Sequence, residues 1–293
     1  MHARRCRSTF IVPALLCAIT LLTAPTIEAC TLWAAAGERV AHGGSLIAKN
    51  RDWLPEPSEV RLENGGKGHR FLGLFPVREG KRRTVVAGVN EKGLVIVTAT
   101  AGSIPREVMI KGGRGLTGQL LTDFSTAEEV LAHRSLFART HSAMYLIADR
   151  RRVAWVEVAP GGWYAVRETT SGVLAHTNHY LDGELTAVNE KIGRSSRTRL
   201  GRVGELLEGH PAPFTLEDFV AISRDRHDGP DNSLWRTGGK PEGTRTLASW
   251  IVSLPKECPP EISIRLANPG EAERTVKMTL DGQFWEMRGE PKI

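Results

Sequence analysis

Hydrophobic residues fall along this chain in short dense runs, many of them β-branched, separated by turn residues. Residues 84–89 and 94–100 are two such runs around Asn90-Glu91-Lys92-Gly93, which predicts a hairpin of strands buried on both faces. A second hairpin is expected from 30–36 and 45–53, joined across a glycine-bearing turn. Further strands are predicted at 143–148, 153–158, 163–167, 172–177, 247–254, 262–267 and 275–280. Helical patterns interrupt them in pairs. The first pair is 116–124 and a helix to about 135 that opens on the capping sequence Ser125-Thr126-Ala127-Glu128; the second is a basic helix over 195–207 and one over 215–223. Residues 227–244, rich in glycine, proline and polar side chains, read as a long loop. Strands in antiparallel-looking runs and helices in pairs predict an α+β fold, with helices on the outer faces of stacked sheets.

The start of the chain has a different pattern. Arg4, Arg5 and Arg7 precede an almost wholly apolar stretch over 10–22, Pro25 follows, and Ala29 stands just before Cys30. That is the layout of a secretory signal peptide cut after Ala29. Residues 1–29 are therefore expected to be removed, leaving 30–293 as one domain of a secreted or periplasmic protein. No later stretch is apolar for long enough to span a bilayer. Loss of Arg4, Arg5, Arg7 and Glu28 lowers the net charge from +6 to +4, too mild an excess to argue for nucleic acid. The basic triplets Lys81-Arg82-Arg83 and Arg150-Arg151-Arg152 read as solvated turns.

Cysteine usage adds chemistry. Cys6 and Cys17 leave with the signal, so Cys30 and Cys258 remain, and a single bridge between them is compatible with the sequence. A cysteine at the first mature position also has a chemical use. Its α-amine (reference pKa about 7.7–8.0) and its thiol (about 8.5) exchange a proton almost evenly near neutrality. The residue then carries its own base.

Cys30-Thr31, followed by Gly44-Ser45-Leu46-Ile47-Ala48-Lys49-Asn50-Arg51-Asp52-Trp53, resembles the opening of the linear-amide hydrolases of the N-terminal-nucleophile superfamily. That group includes choloylglycine hydrolases, penicillin V acylases, acid ceramidase and the acyl-CoA:6-aminopenicillanic acid acyltransferases. Val89-Asn90-Glu91-Lys92-Gly93-Leu94, His176-Thr177-Asn178-His179-Tyr180-Leu181 and Ser195-Ser196-Arg197 match later family stretches, so the resemblance runs along nearly all of 30–293. It implies a four-layer αββα sandwich of two antiparallel sheets flanked by helices, and no cofactor. It also implies roles: Asp52 holds the Cys30 amine, Asn178 donates to the oxyanion, and Arg197 steadies charge around the nucleophile. Two positions depart from the bile-salt-hydrolase-like members, with Lys49 in place of an arginine and Thr100 in place of an oxyanion asparagine. Both departures point to the acyltransferase-like group or another acylase.

Other candidates carry less. His176 and His179, three apart on a strand, point to opposite faces and make a poor metal pair. Gly113-x-Gly115-x-x-Gly118 lacks the βαβ setting of a dinucleotide site and reads as a lead into a helix.

The expected function is cleavage of a linear amide in a small N-acyl substrate, through a thioester on Cys30. The alternative is a bacterial lipoprotein or periplasmic binding protein on a catalytically dead version of the fold, lipid-anchored at Cys30, against which Glu28 at the second position before the cut weighs. N-terminal sequencing of exported protein should read Cys-Thr-Leu-Trp. An active sample that begins at Pro25 or earlier would rule out a cysteine acting as its own base.

Overall fold

The computed structural model describes residues 29–211 and 213–287. The signal sequence expected over 1–29 lies outside them, except for Ala29. The first strands are β1 (Ala29–Ala36), β2 (Ser45–Trp53), β3 (Ser58–Glu63), β4 (Phe71–Arg78), β5 (Lys81–Arg82), β6 (Ala87–Asn90) and β7 (Val95–Thr100). Helices α1 (Arg106–Met109), α2 (Leu116–Asp123) and α3 (Ala127–Ala132) follow. The chain then forms β8 (Ala143–Ala148), β9 (Val153–Val158), β10 (Tyr164–Thr169) and β11 (Gly172–His176). Next come α4 (Arg194–Glu208), α5 (Leu216–Ser223) and the single turn α6 (Gly229–Asn232). Strands β12 (Arg245–Leu254), β13 (Glu261–Leu266) and β14 (Arg274–Thr279) and helix α7 (Gly282–Glu286) complete the described chain.

Among the described residues the strands make two antiparallel sheets. One runs β11-β1-β2-β12-β13-β14 and the other β10-β9-β8-β7-β6-β4-β3, with β5 paired to β4. Strand alternation sorts β1 into two faces. Cys30, Leu32, Ala34 and Ala36 enter the core between the sheets with Trp250, Leu72 and Met144. Trp33 and Ala35 enter a second core beneath α4 and α5, with Val203, Leu207 and Phe219. The outer face of the other sheet is covered by α2 and α3 through Leu116, Leu120, Leu121 and Val130. The layers are therefore helix, sheet, sheet, helix, as the resemblance implies. No helix among the described residues is long and apolar enough to cross a membrane.

Both expected hairpins form, β1–β2 and β6–β7. The arm predicted at 84–89 starts only at Ala87, because Thr84, Val85 and Val86 are irregular. Strands β3 and β4 have no counterpart in the sequence reading. In β3, Glu59, Arg61 and Glu63 alternate with small apolar blocks at a sheet edge, and Gly73 and Pro76 break the strand pattern of β4. The α3 cap lies one residue later than expected: Thr126 accepts from Glu129 N at 3.1 Å, and Glu129 accepts from Ser125 N at 2.7 Å. Cys30 and Cys258 are both free, so the bridge left open by the sequence is not formed.

Helix α5 begins with a reciprocal capping box. Thr215 Oγ1 accepts from Asp218 N, and Asp218 Oδ2 accepts from Thr215 N at 2.8 Å. This cap orients the helix that closes the outer core over β1 and β2. Thr215→Ala should lower unfolding free energy by about 1 kcal/mol. Urea titration checks this through a shifted midpoint at unchanged slope; an unmoved midpoint would show that the cap contributes nothing.

Candidate active site

The site is built across β1, with different groups on its two sides. The Cys30 thiol points into the space between the sheets, as its place among the inner-core residues requires. Lys49 lies opposite Leu32, and Arg51 opposite Cys30, on the paired strand β2. Alternation puts Lys49 and Arg51 on the thiol's side and Asn50 and Asp52 on the helix side. Lys49 Nζ lies 3.5 Å from Cys30 Sγ and also donates to Thr98 O.

On the other side the backbone of Cys30 is held by side chains. Cys30 N donates to Asn178 Oδ1 at 3.0 Å. Arg199 comes from α4 and donates to Cys30 O at 2.6 Å, to Thr31 Oγ1 at 2.7 Å and to Asn178 Oδ1 at 3.0 Å. Asn178 Nδ2 donates to Thr100 O at 3.0 Å and lies 3.5 Å from Thr100 Oγ1. Asp52 is fully buried. Its Oδ1 accepts from Thr246 Oγ1 at 2.7 Å, while Oδ2 has no hydrogen-bond partner and lies 3.8 Å from Arg236 Nη1. Where Asp52 meets the thiol it does so through its backbone: Sγ is 4.0 Å from Asp52 O.

Burial dominates the electrostatics. It lowers the Lys49 pKa, and the neighbouring Cys30 opposes the shift. It raises the Asp52 pKa against the pull of Arg199 and Arg236. It lowers that of Arg199 to about 10, which leaves the guanidinium charged at neutral pH. The cations and Asp52 therefore depend on one another to remain ionised.

Of the residues singled out from sequence, Cys30, Lys49, Asp52, Thr100 and Asn178 are brought together. Arg197 is not. It is exposed and donates to Ile192 O at 2.7 Å, and Arg199 takes the place beside Cys30 that Arg197 was expected to fill. Two residues along a helix turn the side chain to the opposite face. The signal was present: Arg199, Val203 and Leu207 recur at intervals of four on the buried face of α4. Arg236 and Thr246, the partners of Asp52, were also missed, since one lies in the loop after α6 and the other in β12.

A cavity of about 380 Å³ opens at the thiol. Val85, Val86, Ala99, Met109 and Leu116 give it apolar walls, and Arg51, Arg78, Arg83, Arg106 and Arg114 bring cations to it. The one acid that lines it, Glu56, is already paired with both Arg51 and Arg78. No group of three His, Cys, Asp or Glu suited to a metal exists among the described residues. His176 is bonded instead to Glu157, and His179 to Ser196.

The family described as acyl-coenzyme A:6-aminopenicillanic acid acyl-transferase matches residues 40–271, a stretch that begins after Cys30 and includes Asp52, Asn178 and Arg199. Among solved structures, penicillin V acylase from Agrobacterium tumefaciens superposes with a TM-score of 0.53 at 14% identity, over 87% of this chain and 89% of that one. A mutant conjugated bile acid hydrolase from Clostridium perfringens gives 0.45 at 15% identity, over 86% and 94%. No curated protein matches the sequence.

His179, next to Asn178, generates a test of the site's acid sensitivity. Burial, and then the charge of His176, push its pKa down to about 4 from 6.5. The folded chain thus keeps this ring neutral where the unfolded chain protonates it. Unfolding takes up a proton between those values, so stability is lost as pH falls from 6.5 toward 4. His179→Gln should shrink the difference in unfolding free energy between pH 7 and pH 5, measured by denaturant titration. An unchanged difference would place the acid sensitivity elsewhere.

Proposed function

Because the chain belongs to the acyl-coenzyme A:6-aminopenicillanic acid acyl-transferase family, we propose that it is an exported cysteine amidohydrolase or acyltransferase. On this reading it acts on linear amides through a thioester on Cys30 once residues 1–29 are gone. The observation that carries the proposal is the placement of Cys30 at the cavity, with Lys49 at its sulfur and Asn178 and Arg199 at its backbone. In the chain described, Cys30 N is a peptide nitrogen with one proton to donate, and Asp52 Oδ2 is left without a partner. Cleavage before Cys30 would turn that nitrogen into an amine, with protons enough for a second acceptor.

The chemistry follows in two halves. The free amine takes the thiol proton, and Sγ attacks the amide carbon. The oxyanion that forms is met by the second N–H of Asn178 and the Thr100 hydroxyl, while Lys49 Nζ stands beside the sulfur. The carbon–nitrogen bond breaks, and the leaving amine carries the proton held by Cys30 N. Water or another amine then attacks the thioester and regenerates the thiol. Arg199 touches no reacting atom in this scheme. It fixes Cys30 O and Asn178 Oδ1 in one fork, a task the point charge of a lysine cannot copy.

The substrate class follows from the cavity's charge. With Glu56 occupied by two arginines, the lining presents cations to an apolar interior, which favours an N-acyl amino acid over a neutral N-acyl amine. The near-complete burial of Cys30 counts against the alternative of a lipid-anchored binding protein. The test compares an N-acyl amino acid with the primary amide of the same acyl chain, for the wild type and Cys30→Ser. The amino-acid conjugate should show the higher kcat/KM, and the Ser variant should lose nearly all turnover while remaining folded. Full activity in the folded Ser variant would remove Cys30 from the chemistry, and equal rates on the two substrates would remove the anionic preference.

A further inference from the structure

Glu157 is a fully buried carboxylate that the chemistry above does not use. It shares the inner face of β9 with Val153 and Trp155, so it points between the sheets. Three donors converge on it. His176 Nε2 is 2.7 Å and Leu181 N 2.6 Å from Oε1, and Asp182 N is 3.2 Å from Oε2. His176 ends β11 in the opposite sheet, and Leu181 and Asp182 follow a few residues later. One side chain from the second sheet thus grips both ends of the segment that carries Asn178.

The grip is directional. The two ring nitrogens of His176 both face acceptors, Thr177 O at 3.1 Å and Glu157 Oε1 at 2.7 Å. The Trp155 ring meets it edge-on, with ring centroids 5.6 Å apart. The middle of the segment is tied to α4: Asn178 N donates to Ser196 Oγ at 3.1 Å, and Thr177 Oγ1 to Ser196 O at 3.1 Å. Ser196 lies in the first turn of the helix that supplies Arg199. Neither Glu157 nor His176 lines the cavity at Cys30.

We infer that Glu157, acting through His176 and the backbone of Leu181 and Asp182, is the positioning residue that holds Asn178 against Cys30. The inference rests on the reading of Asn178 given above. A carboxylate is required because both oxygens must accept. A glutamine would turn an NH₂ group toward Asp182 N or toward the His176 and Leu181 donors, freeing one end of the segment. Stability alone does not call for a charge here, since a buried ion pair is often no more stabilising than apolar packing of the same volume.

Glu157→Gln should lower kcat by about 10–10²-fold at unchanged KM, because a misplacement near 1 Å at a reacting group costs that much. Rates are taken per active site, counted by alkylation of Cys30, so that loss of folded protein does not enter. Adding Asn178→Ala should cause no further fall beyond Asn178→Ala alone, because both changes remove the same aim. An unchanged kcat in Glu157→Gln, or losses that multiply in the double variant, would overturn the inference. If Glu157→Gln does not fold, His176→Gln removes one of the three donors and should show the same kcat loss, smaller, and the same lack of additivity. Asn178→Ala at the wild-type rate would instead overturn the reading of the site, and the positioning role with it.

Discussion

The guanidinium of Arg199 has its charge wholly removed from water, and a cation so placed must find acceptors for its N–H groups. It finds them in Cys30 O, Thr31 Oγ1, Asn178 Oδ1 and Ser195 Oγ, and its counter-charge in Asp52. These partners come from four parts of the chain: β1, β2, the segment after β11, and α4. Satisfying one buried charge therefore fixes how the first sheet, the helix above it and the Asn178 segment meet. Removing the counter-charge at Asp52 would strand a buried ion, at a cost of about 3–5 kcal/mol.

The same reasoning applies to the rest of the charge cluster. Lys49, Arg51, Arg199 and Arg236 are buried around Asp52 and Glu56. These groups form alternating pairs: Glu56 with Arg51 and Arg78, Asp52 with Arg236 and Arg199. Cations outnumber carboxylates in this group. Two of these basic groups, Lys49 and Arg51, line the cavity at the sulfur.

Much of the architecture was legible because it depends on period. The hairpins of β1–β2 and β6–β7 and the start of α3 follow from alternation and capping, which are local. Strand β4 was not legible, since Gly73 and Pro76 interrupt it and pairing with β3, β5 and β6 sustains it. At the site, motif reading found residues adjacent in sequence but was blind to which way they face. Lys49 and Asp52 fall in one motif yet stand on opposite sides of a sheet. Arg197 closes another motif, yet it stands on the side of α4 opposite to Arg199, two residues on. The partners of Asp52 were beyond reach for a different reason: Arg236 and Thr246 join it only through the β2–β12 pairing, nearly two hundred residues apart.

The arrangement of layers also bears on how such a protein can diversify. Cys30, Lys49 and Asp52 sit on central strands of one sheet, locked between β11 and β12. Part of the apolar cavity wall, in contrast, comes from the irregular 84–86 turn, from α1 and from the first residue of α2. Exchanges at Val85, Met109 or Leu116 would reshape what the cavity accepts without disturbing any hydrogen bond made by Cys30. On the proposed reading, the sheet holds the reactive sulfur and the loops shape what reaches it, so a changed substrate need not mean a changed chemistry.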